Sequence, residues 1–457
     1  MFISLFSTAI TAQDGLKIAN DITQLNPISV AEIIHPISTE EIIKAVKTHN
    51  SISIGGGLYS MGGQTATEKA LQIDMRNFNR ILNFSEANKE ITVETGINWR
   101  KIQEFIDSYN LSIKIMQSYA NFTVGGSLSV NVHGRYIGEG PIILSVKQIK
   151  IVLANGNLIV ASPIKNKEIF YAAIGGYGGI GVITEATLSL TENTKIERTS
   201  QVLSIKKYKQ FFLDNIQNDS KIIFHNAVIY PDQYEQIRAI SYSKTPKKTT
   251  VNYRLKPKGQ KYIFRKFVLG IISEFSVGKW FRQYLIDPII YKSKPIEWRN
   301  YEASQDVFEL EPESRKQSTY VLQEYFVPVD QFDNFYPLMA NILKKYKVNV
   351  INVSIRHAKK DSGSLLAWAS TEVFAFVIYY KQGVKQADKE KVKKWTQKLI
   401  DASLLCNGRY YLPYQIHANQ YQFEKAYIHS DDFFRLKKKL DPTNKFRNKL
   451  WDNYYKL

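Results

Sequence analysis

The sequence predicts an α+β protein of two domains, the first a nucleotide-binding module and the second built on an antiparallel sheet. Three observations carry this. At 457 residues the chain exceeds one ordinary core, because single domains run to roughly 100–200 residues. Residues 28–190 alternate short apolar runs with glycine turns and helical stretches. After Thr191 the glycines thin out, and strand-like runs at 227–230, 320–327, 348–355 and 373–380 alternate with helices. The expected boundaries are 1–194, 195–404 and 405–457, the last segment returning to the first domain.

Local signals place the elements of the first domain. Ser38-Thr39-Glu40-Glu41 forms a capping box ahead of Ile42, Ile43 and Val46, so a helix starts at Ser38 and ends near Asn50. Ile52 to Ile54 is a brief strand that delivers the chain into Gly55-Gly56-Gly57. Further strands are read at 71–75, 91–95 and 149–153, with a hairpin turn at Asn155-Gly156 and a helix over 99–109. Asp441-Pro442 and Lys445-Phe446-Arg447 read as a basic, aromatic tail.

Composition narrows the functional classes. The 44% hydrophobic and 23% charged fractions fit a water-soluble globular chain, with no apolar run of transmembrane length. Cys406 is the only cysteine, which rules out an intrachain disulfide, a multi-cysteine zinc site and an iron–sulfur cluster. A cytoplasmic location suits this. Met1 to Ala12 has a short apolar stretch but no preceding Lys or Arg, and it is not read as a cleaved signal. The formal charge is +19, and Lys244 to Asn300 alone carries a net +11. Within it, residues 262–291 interleave basic and bulky apolar side chains like a membrane-surface helix pair, although a solvated basic face over an ordinary core would read the same.

Three glycine clusters follow strand-like runs: Gly55-Gly56-Gly57 with Gly62-Gly63, then Gly125-Gly126, then Gly175 to Gly181. Such loops let several backbone N–H groups approach a diphosphate. None fits G-x-G-x-x-G in a strand–turn–helix context or the phosphate-loop pattern, which disfavours ordinary NAD and ATP folds. Taken singly, each cluster could be a plain turn.

Their order is more specific. Ile54 to Gln64, Asp74-Met75-Arg76, Val93 to Gly96, Thr123 to Ser127 and Gly175 to Gly181 together resemble the FAD domain of the vanillyl-alcohol-oxidase superfamily, the two-subdomain PCMH-type domain, over most of residues 25–195. Val132-His133-Gly134-Arg135 and Gly408-Arg409-Tyr410-Tyr411 look most like its sugar-oxidising branch, which holds the aldonolactone, alditol and decaprenylphosphoryl-ribose oxidases. The resemblance implies a cap domain over bound FAD. It implies that Gly55, Gly56, Gly57 and Leu58, with Tyr59 and Ser60 beside them, and Val124, Gly125 and Gly126, with Ser127, hold the pyrophosphate. His133 and Gly134 would lie near the flavin, and the run containing Gly176, Gly178, Gly181 and Ile183 would cover the adenosine end. From the residues alone, His133 could equally be a core histidine.

Two departures matter. Where many relatives carry an FAD-linking histidine, this chain has Leu58-Tyr59-Ser60, so non-covalent FAD is expected. Where relatives carry a lysine after the C-terminal Gly-Arg, it has Tyr414 or Gln415. Hydroxyl oxidation needs a hydride path and a group that takes the hydroxyl proton. Val353 to His357 resembles the Glu-x-Arg strand of alditol oxidases, with Arg356 matching and Ser354 in place of the acid. His357 falls on the opposite face of that strand. Arg356, Tyr411, Tyr414, Gln415 and His417 are the catalytic candidates, though an arginine on the surface or a packed tyrosine cluster would look alike.

The expected function is FAD-dependent oxidation of a CH–OH group on a small polar substrate: a sugar, polyol, aldonolactone or sugar-lipid. A 2-hydroxy acid dehydrogenase is the second reading, weakened because the seven histidines show no metal-type spacing. A basic module binding membrane or nucleic acid without catalysis is the third, with nucleic acid disfavoured. In the aldonolactone group the residue before the matching His-Gly lies beside the reactive face of the flavin, and bulk there goes with exclusion of oxygen. Val132 therefore points to a dehydrogenase whose acceptor is a quinone or carrier protein.

Overall fold

The computed structural model describes residues 16–231, 233–259, 276–312, 314–361 and 363–456. Met1 to Ala12 and the 262–275 half of the basic amphipathic segment lie outside the described residues.

The N-terminal part is two layers of short strands. β1 (Lys17–Ala19) pairs with β2 (Ile28–Val30), and β3 (Glu32–Ile34), β4 (Ile52–Gly55) and β5 (Leu71–Asp74) form a parallel sheet with β5 central. Helix α1 (Thr39–Thr48) crosses between β3 and β4; the Ser38 side chain accepts from the Glu41 N–H, and the Glu41 carboxylate accepts from the Ile37 N–H. That satisfies orphan donors at the helix start. β6 (Ile81–Ser85), β7 (Glu90–Glu94), β8 (Leu111–Ile113), β9 (Val146–Val152), β10 (Leu158–Ala161) and β11 (Val182–Glu192) form a second, antiparallel sheet around the long β11. Between β7 and β9 the chain forms α2 (Trp99–Ile106) and the short α3 (Val124–Ser129).

The second part is one antiparallel sheet of eight strands: β12 (Lys195–Ser204), β13 (Ile222–Ile229), β14 (Gln236–Lys244), β15 (Ile296–Trp298), β16 (Ser318–Pro328), β17 (Val350–Ala358), β18 (Val373–Gly383) and β19 (Arg409–Tyr410). Their spatial order is β15-β12-β14-β13-β17-β18-β16-β19. The architecture is thus mixed α and β, with an N-terminal nucleotide-binding part and an antiparallel cap.

Alternation sorts the two faces of this sheet. One face carries Tyr325, Phe374, Phe376, His357 and His225. It is covered by α4 (Ile205–Asn215), α5 (Phe332–Lys345) and α6 (Gln386–Leu405) through Tyr208, Phe212, Phe332, Phe335 and Trp395. The other face turns toward the N-terminal part. The registers Glu324↔Val377↔Ser354 and Phe326↔Ala375↔Arg356 set these side chains side by side on it. One apolar cluster runs continuously from Val93 and Ile151 to Phe326 and Val353.

The basic, aromatic C-terminal segment packs against the N-terminal part. Ile52 donates to the carbonyl of Lys445, and Arg447 donates to that of Ile52. The buried Lys445 ammonium reaches the carbonyls of Val46 and Ala154. Lys437, Asp441 and Phe446 are likewise buried, because each polar group meets a backbone or charged partner there.

The second half of the basic segment lies within the described residues. Residues 276–292 make one interrupted helix: Ser276–Phe281, a π turn over Arg282–Ile286, and Asp287–Lys292.

Candidate functional site

The loop after β4 is shaped by a close approach. A Cβ added to Gly56 would lie 2.3 Å from the Thr123 hydroxyl oxygen, which itself accepts from the Gly126 N–H at 3.3 Å. Beyond it, Leu58 takes a left-handed φ of 62°. Among the described residues none accepts from the backbone N–H groups of residues 57–60. Unpaired loop amides beside glycines are the donor set that a diphosphate requires.

The second glycine pair contributes differently from the expectation. The Val124 and Gly125 N–H groups already donate to the carbonyls of Ile97 and Thr95, and Ser127 donates through its N–H to Thr123 and through its hydroxyl to Gln117. These groups shape the loop and are not free to bind phosphate. Much of the Gly175–Gly181 run is likewise held from within the protein. The Gly176, Tyr177 and Gly179 carbonyls accept from Trp451, Asn448 and Lys437, and Ile183 accepts from the Thr95 hydroxyl. The C-terminal segment therefore fixes this loop.

His133 emerges from the turn after α3 and is buried. Its Nε2 lies 2.6 Å from Glu324 Oε1, and its Nδ1 lies 3.1 Å from the Gly134 carbonyl. Phe326, Trp368 and Tyr411 surround the ring. The other Glu324 oxygen accepts from the Tyr414 hydroxyl at 3.2 Å. Burial alone would raise the Glu324 carboxyl, but His133 above all, then Arg356 and the Tyr414 hydroxyl, outweigh it and hold the group below the ordinary carboxylate value. Glu324 is ionised at neutral pH. Burial, then the charge of Glu324, pushes Tyr414 well above the usual phenol value, so it remains a donor.

Arg356 shares this face, and its buried Nε has no hydrogen-bond partner among the described residues. Its charge is felt by both Glu324 and Tyr414. A buried guanidinium nitrogen left unpaired costs free energy unless a ligand or water meets it.

Of the other sequence candidates, Tyr411 donates its hydroxyl to the Val130 carbonyl at 2.8 Å, which occupies it as a wall of the site. Gln415 donates to the Met61 carbonyl. His417 is not part of the cluster; it is buried with Lys393 nearby, its carbonyl accepting from Gln397. Burial first, then Lys393, lowers its imidazole to about 4. The 410–417 turn departs from the expectation because its polar groups mainly tie it to the loop after β4. Gln64 donates to the Leu412 and Tyr414 carbonyls, Met61 donates to Pro413, and a Cβ on Gly62 would meet the Tyr414 carbonyl at 2.4 Å. Of the turn's side chains Tyr414 is the one that reaches the Glu324 carboxylate, while the Tyr411 N–H donates to the Glu324 carbonyl.

Glu324 itself was absent from the sequence candidates. Its signal was present: it alternates with Leu322 and Phe326 on an otherwise apolar strand face, where an acid requires partners. Among the described residues no cluster of histidine, cysteine and carboxylate side chains could hold a metal ion.

Residues 30–162 match the family model described as FAD binding domain. Cytokinin dehydrogenase 9 of rice is 30% identical over 205 residues, 44% of this chain and 39% of that protein. Cytokinin dehydrogenase 1 of Arabidopsis thaliana is 32% identical over 135 residues, 29% of this chain and 24% of that protein. L-gulonolactone oxidase of Bos taurus is 22% identical over 411 residues, 87% of this chain and 88% of that protein. The chain thus spans well under half the length of the cytokinin dehydrogenases it matches, but most of the gulonolactone oxidase.

The fold and the match over residues 30–162 define an FAD-binding domain in the N-terminal part. More particularly, this is a PCMH-type FAD-binding domain related to those of the aldonolactone oxidases and cytokinin dehydrogenases, and the cofactor it takes is FAD. The unpaired amides of residues 57–60 and the glycine approach to Thr123 fit the cofactor's diphosphate.

Proposed function

We propose that this chain oxidises a CH–OH group of a sugar, polyol, aldonolactone or sugar-lipid. The observation that carries the reading is the buried Glu324 carboxylate held between His133 and Tyr414 beside the unpaired Arg356 Nε. The gulonolactone oxidase match supports it, because that match extends through the cap, whereas the matches to cytokinin dehydrogenases are shorter.

Bound FAD supplies a two-electron acceptor for the hydride that leaves the carbinol carbon. The protein supplies the remainder. Glu324 receives the hydroxyl proton at Oε2, the oxygen to which Tyr414 donates, while His133 fixes Oε1. Tyr414 then hydrogen-bonds the substrate oxygen and keeps the carboxylate aimed. Arg356 donates from Nε to the substrate and stabilises negative charge developing beside it. Trp368, Phe326 and Tyr411 keep water from the His133–Glu324 pair. With Leu58-Tyr59 beside the loop, no imidazole is available for covalent attachment there. The buried Val132 walls the site against oxygen, so a quinone or carrier protein takes the electrons.

The unpaired Arg356 Nε would also accept a carboxylate, so a 2-hydroxy acid is the second reading. The test is an anaerobic absorption screen of the yellow protein against sugars, aldonolactones, polyols, 2-hydroxy acids and a cytokinin. Bleaching by one of the first three classes supports the proposal. Bleaching only by hydroxy acids or by the cytokinin, or by none of them, rejects it.

A further inference from the structure

The interrupted helix of residues 276–292 is amphipathic the wrong way round for a helix on a soluble protein. Its inward side is polar. Arg282 donates to the Ile351 carbonyl at 3.0 Å and to Asn352 Oδ1 at 3.1 Å, and Gln283 donates to Gln236. The buried Asp287 accepts from the Tyr230 hydroxyl at 3.0 Å and lies 3.7 Å from Arg282. The Tyr291 ring sits against the guanidinium groups of Arg198 and Arg238. Its outward side is apolar: Trp280, Phe281, Tyr284, Leu285, Ile289 and Ile290 are all exposed, Ile289 to 75%. Charge-paired and hydrogen-bonded groups fix the helix to the sheet, so it cannot simply roll over to bury that side.

We infer that this face docks on an anionic lipid bilayer. Water-exposed aliphatic and aromatic side chains grouped on one helix are costly unless something covers them. The covering surface is identified by charge. The exposed Lys292 and Lys294 continue the segment, within a stretch of net +11 between Lys244 and Asn300, and the one acid of residues 276–294, Asp287, is buried. Trp280 and Tyr284 are of the aromatic type that settles at a lipid headgroup boundary. Among the described residues no helix is long and apolar enough to cross a membrane, so the contact lies in the plane of the surface. The docking face adjoins the candidate site: Arg282 grips β17 at Asn352, on the same strand face as Ser354 and Arg356 two and four residues further on. At about 3.3 Å per residue this is a separation of roughly 7–13 Å.

The test is co-sedimentation of the full chain with phosphatidylcholine vesicles, with and without about 30% phosphatidylglycerol, across a range of salt concentrations. The chain is expected to bind the anionic vesicles and to release as salt rises. Lys292→Gln with Lys294→Gln should weaken partitioning about 30-fold, since each basic group adjacent to such a surface contributes about fivefold. Trp280→Ser with Ile289→Ser should abolish binding while leaving the FAD content and the yellow spectrum unchanged, which separates docking from the oxidoreductase reading. Equal binding to neutral and anionic vesicles, no binding to either, or indifference to the lysine changes overturns the inference. A lipid-free dimer that the Trp280 and Ile289 changes dissociate would overturn it too, and would assign the face to a second copy of the chain.

Discussion

Replacing Glu324 by Gln keeps the side chain's size and removes its charge. In the wild type the carboxylate is buried, 2.6 Å from His133 Nε2 and 3.2 Å from the Tyr414 hydroxyl. Hydrogen bonds to a charged group contribute about 1.5–3 kcal/mol each, and breaking a buried ion pair costs about 3–5 kcal/mol when one charge is left unpaired. The amide retains a weaker bond to each partner. A stability loss of about 1–3 kcal/mol is therefore expected. The loss in turnover should be larger in relative terms, because an amide cannot take the hydroxyl proton. A positioned base contributes about 100-fold to 10,000-fold, so kcat should fall by that factor with little change in KM. The assay is stopped-flow bleaching of the flavin by the substrate the screen identifies, with a urea midpoint and the flavin spectrum as folding controls. Reduction within about threefold of wild type in a folded, FAD-loaded variant would refute the assignment of Glu324 as base.

Further outcomes follow from neighbouring features. His417 is lowered from an unfolded value near 6.5 to about 4. Its contribution to stability is intact above pH 6.5 and is lost as pH falls toward 4, where the unfolded chain binds a proton the native one does not; the loss is about 3 kcal/mol. His417→Asn should flatten the fall in urea midpoint between pH 6.5 and 4.5, and an unchanged fall would contradict this. Gly62→Ala must displace the Tyr414 carbonyl, at a cost of about 1–3 kcal/mol. It should slow flavin reduction more than it weakens FAD retention, and the reverse ordering would place the loop's role at the cofactor. Acid or heat denaturation should release all yellow colour into the supernatant, whereas colour in the precipitate would reveal a covalent link. Val132→Gly should speed reoxidation of reduced enzyme by oxygen, measured by stopped flow, and fast wild-type reoxidation left unchanged by glycine would show that Val132 is not the gate.

The sequence made the glycine loops and the strand pattern legible because each depends on local chemistry. Ser38 caps α1 through a four-residue motif, and β4 runs into Gly55 as its apolar pattern requires. The placement of His357 opposite Arg356 likewise follows from alternation alone. What depended on register between distant strands was hidden. Glu324 meets His133 across 191 residues, and it stands level with Ser354 only because β18 lies between β16 and β17. The acid missing at position 354 is thus matched by one two strands away, which no spacing within a single strand could reveal. Val124 and Gly125 misled for the opposite reason: their composition suits a phosphate, but Ile97 and Thr95 had already taken their donors. The C-terminal Lys445 and Lys437 look like solvated charge until their carbonyl partners are known.

The central claim is that a C–H bond beside a hydroxyl breaks in the step that reduces FAD, with Glu324 taking the hydroxyl proton. The most direct measurement is the anaerobic rate of flavin bleaching by the identified alcohol, compared with the same alcohol carrying deuterium on the carbinol carbon, in wild type and in Glu324→Gln. The account predicts slower bleaching with deuterium in both proteins, and a wild-type rate that loses its dependence on a low-pH ionisation when Glu324 is replaced. A rate insensitive to deuterium in both, or an unchanged pH profile in the variant, would contradict it.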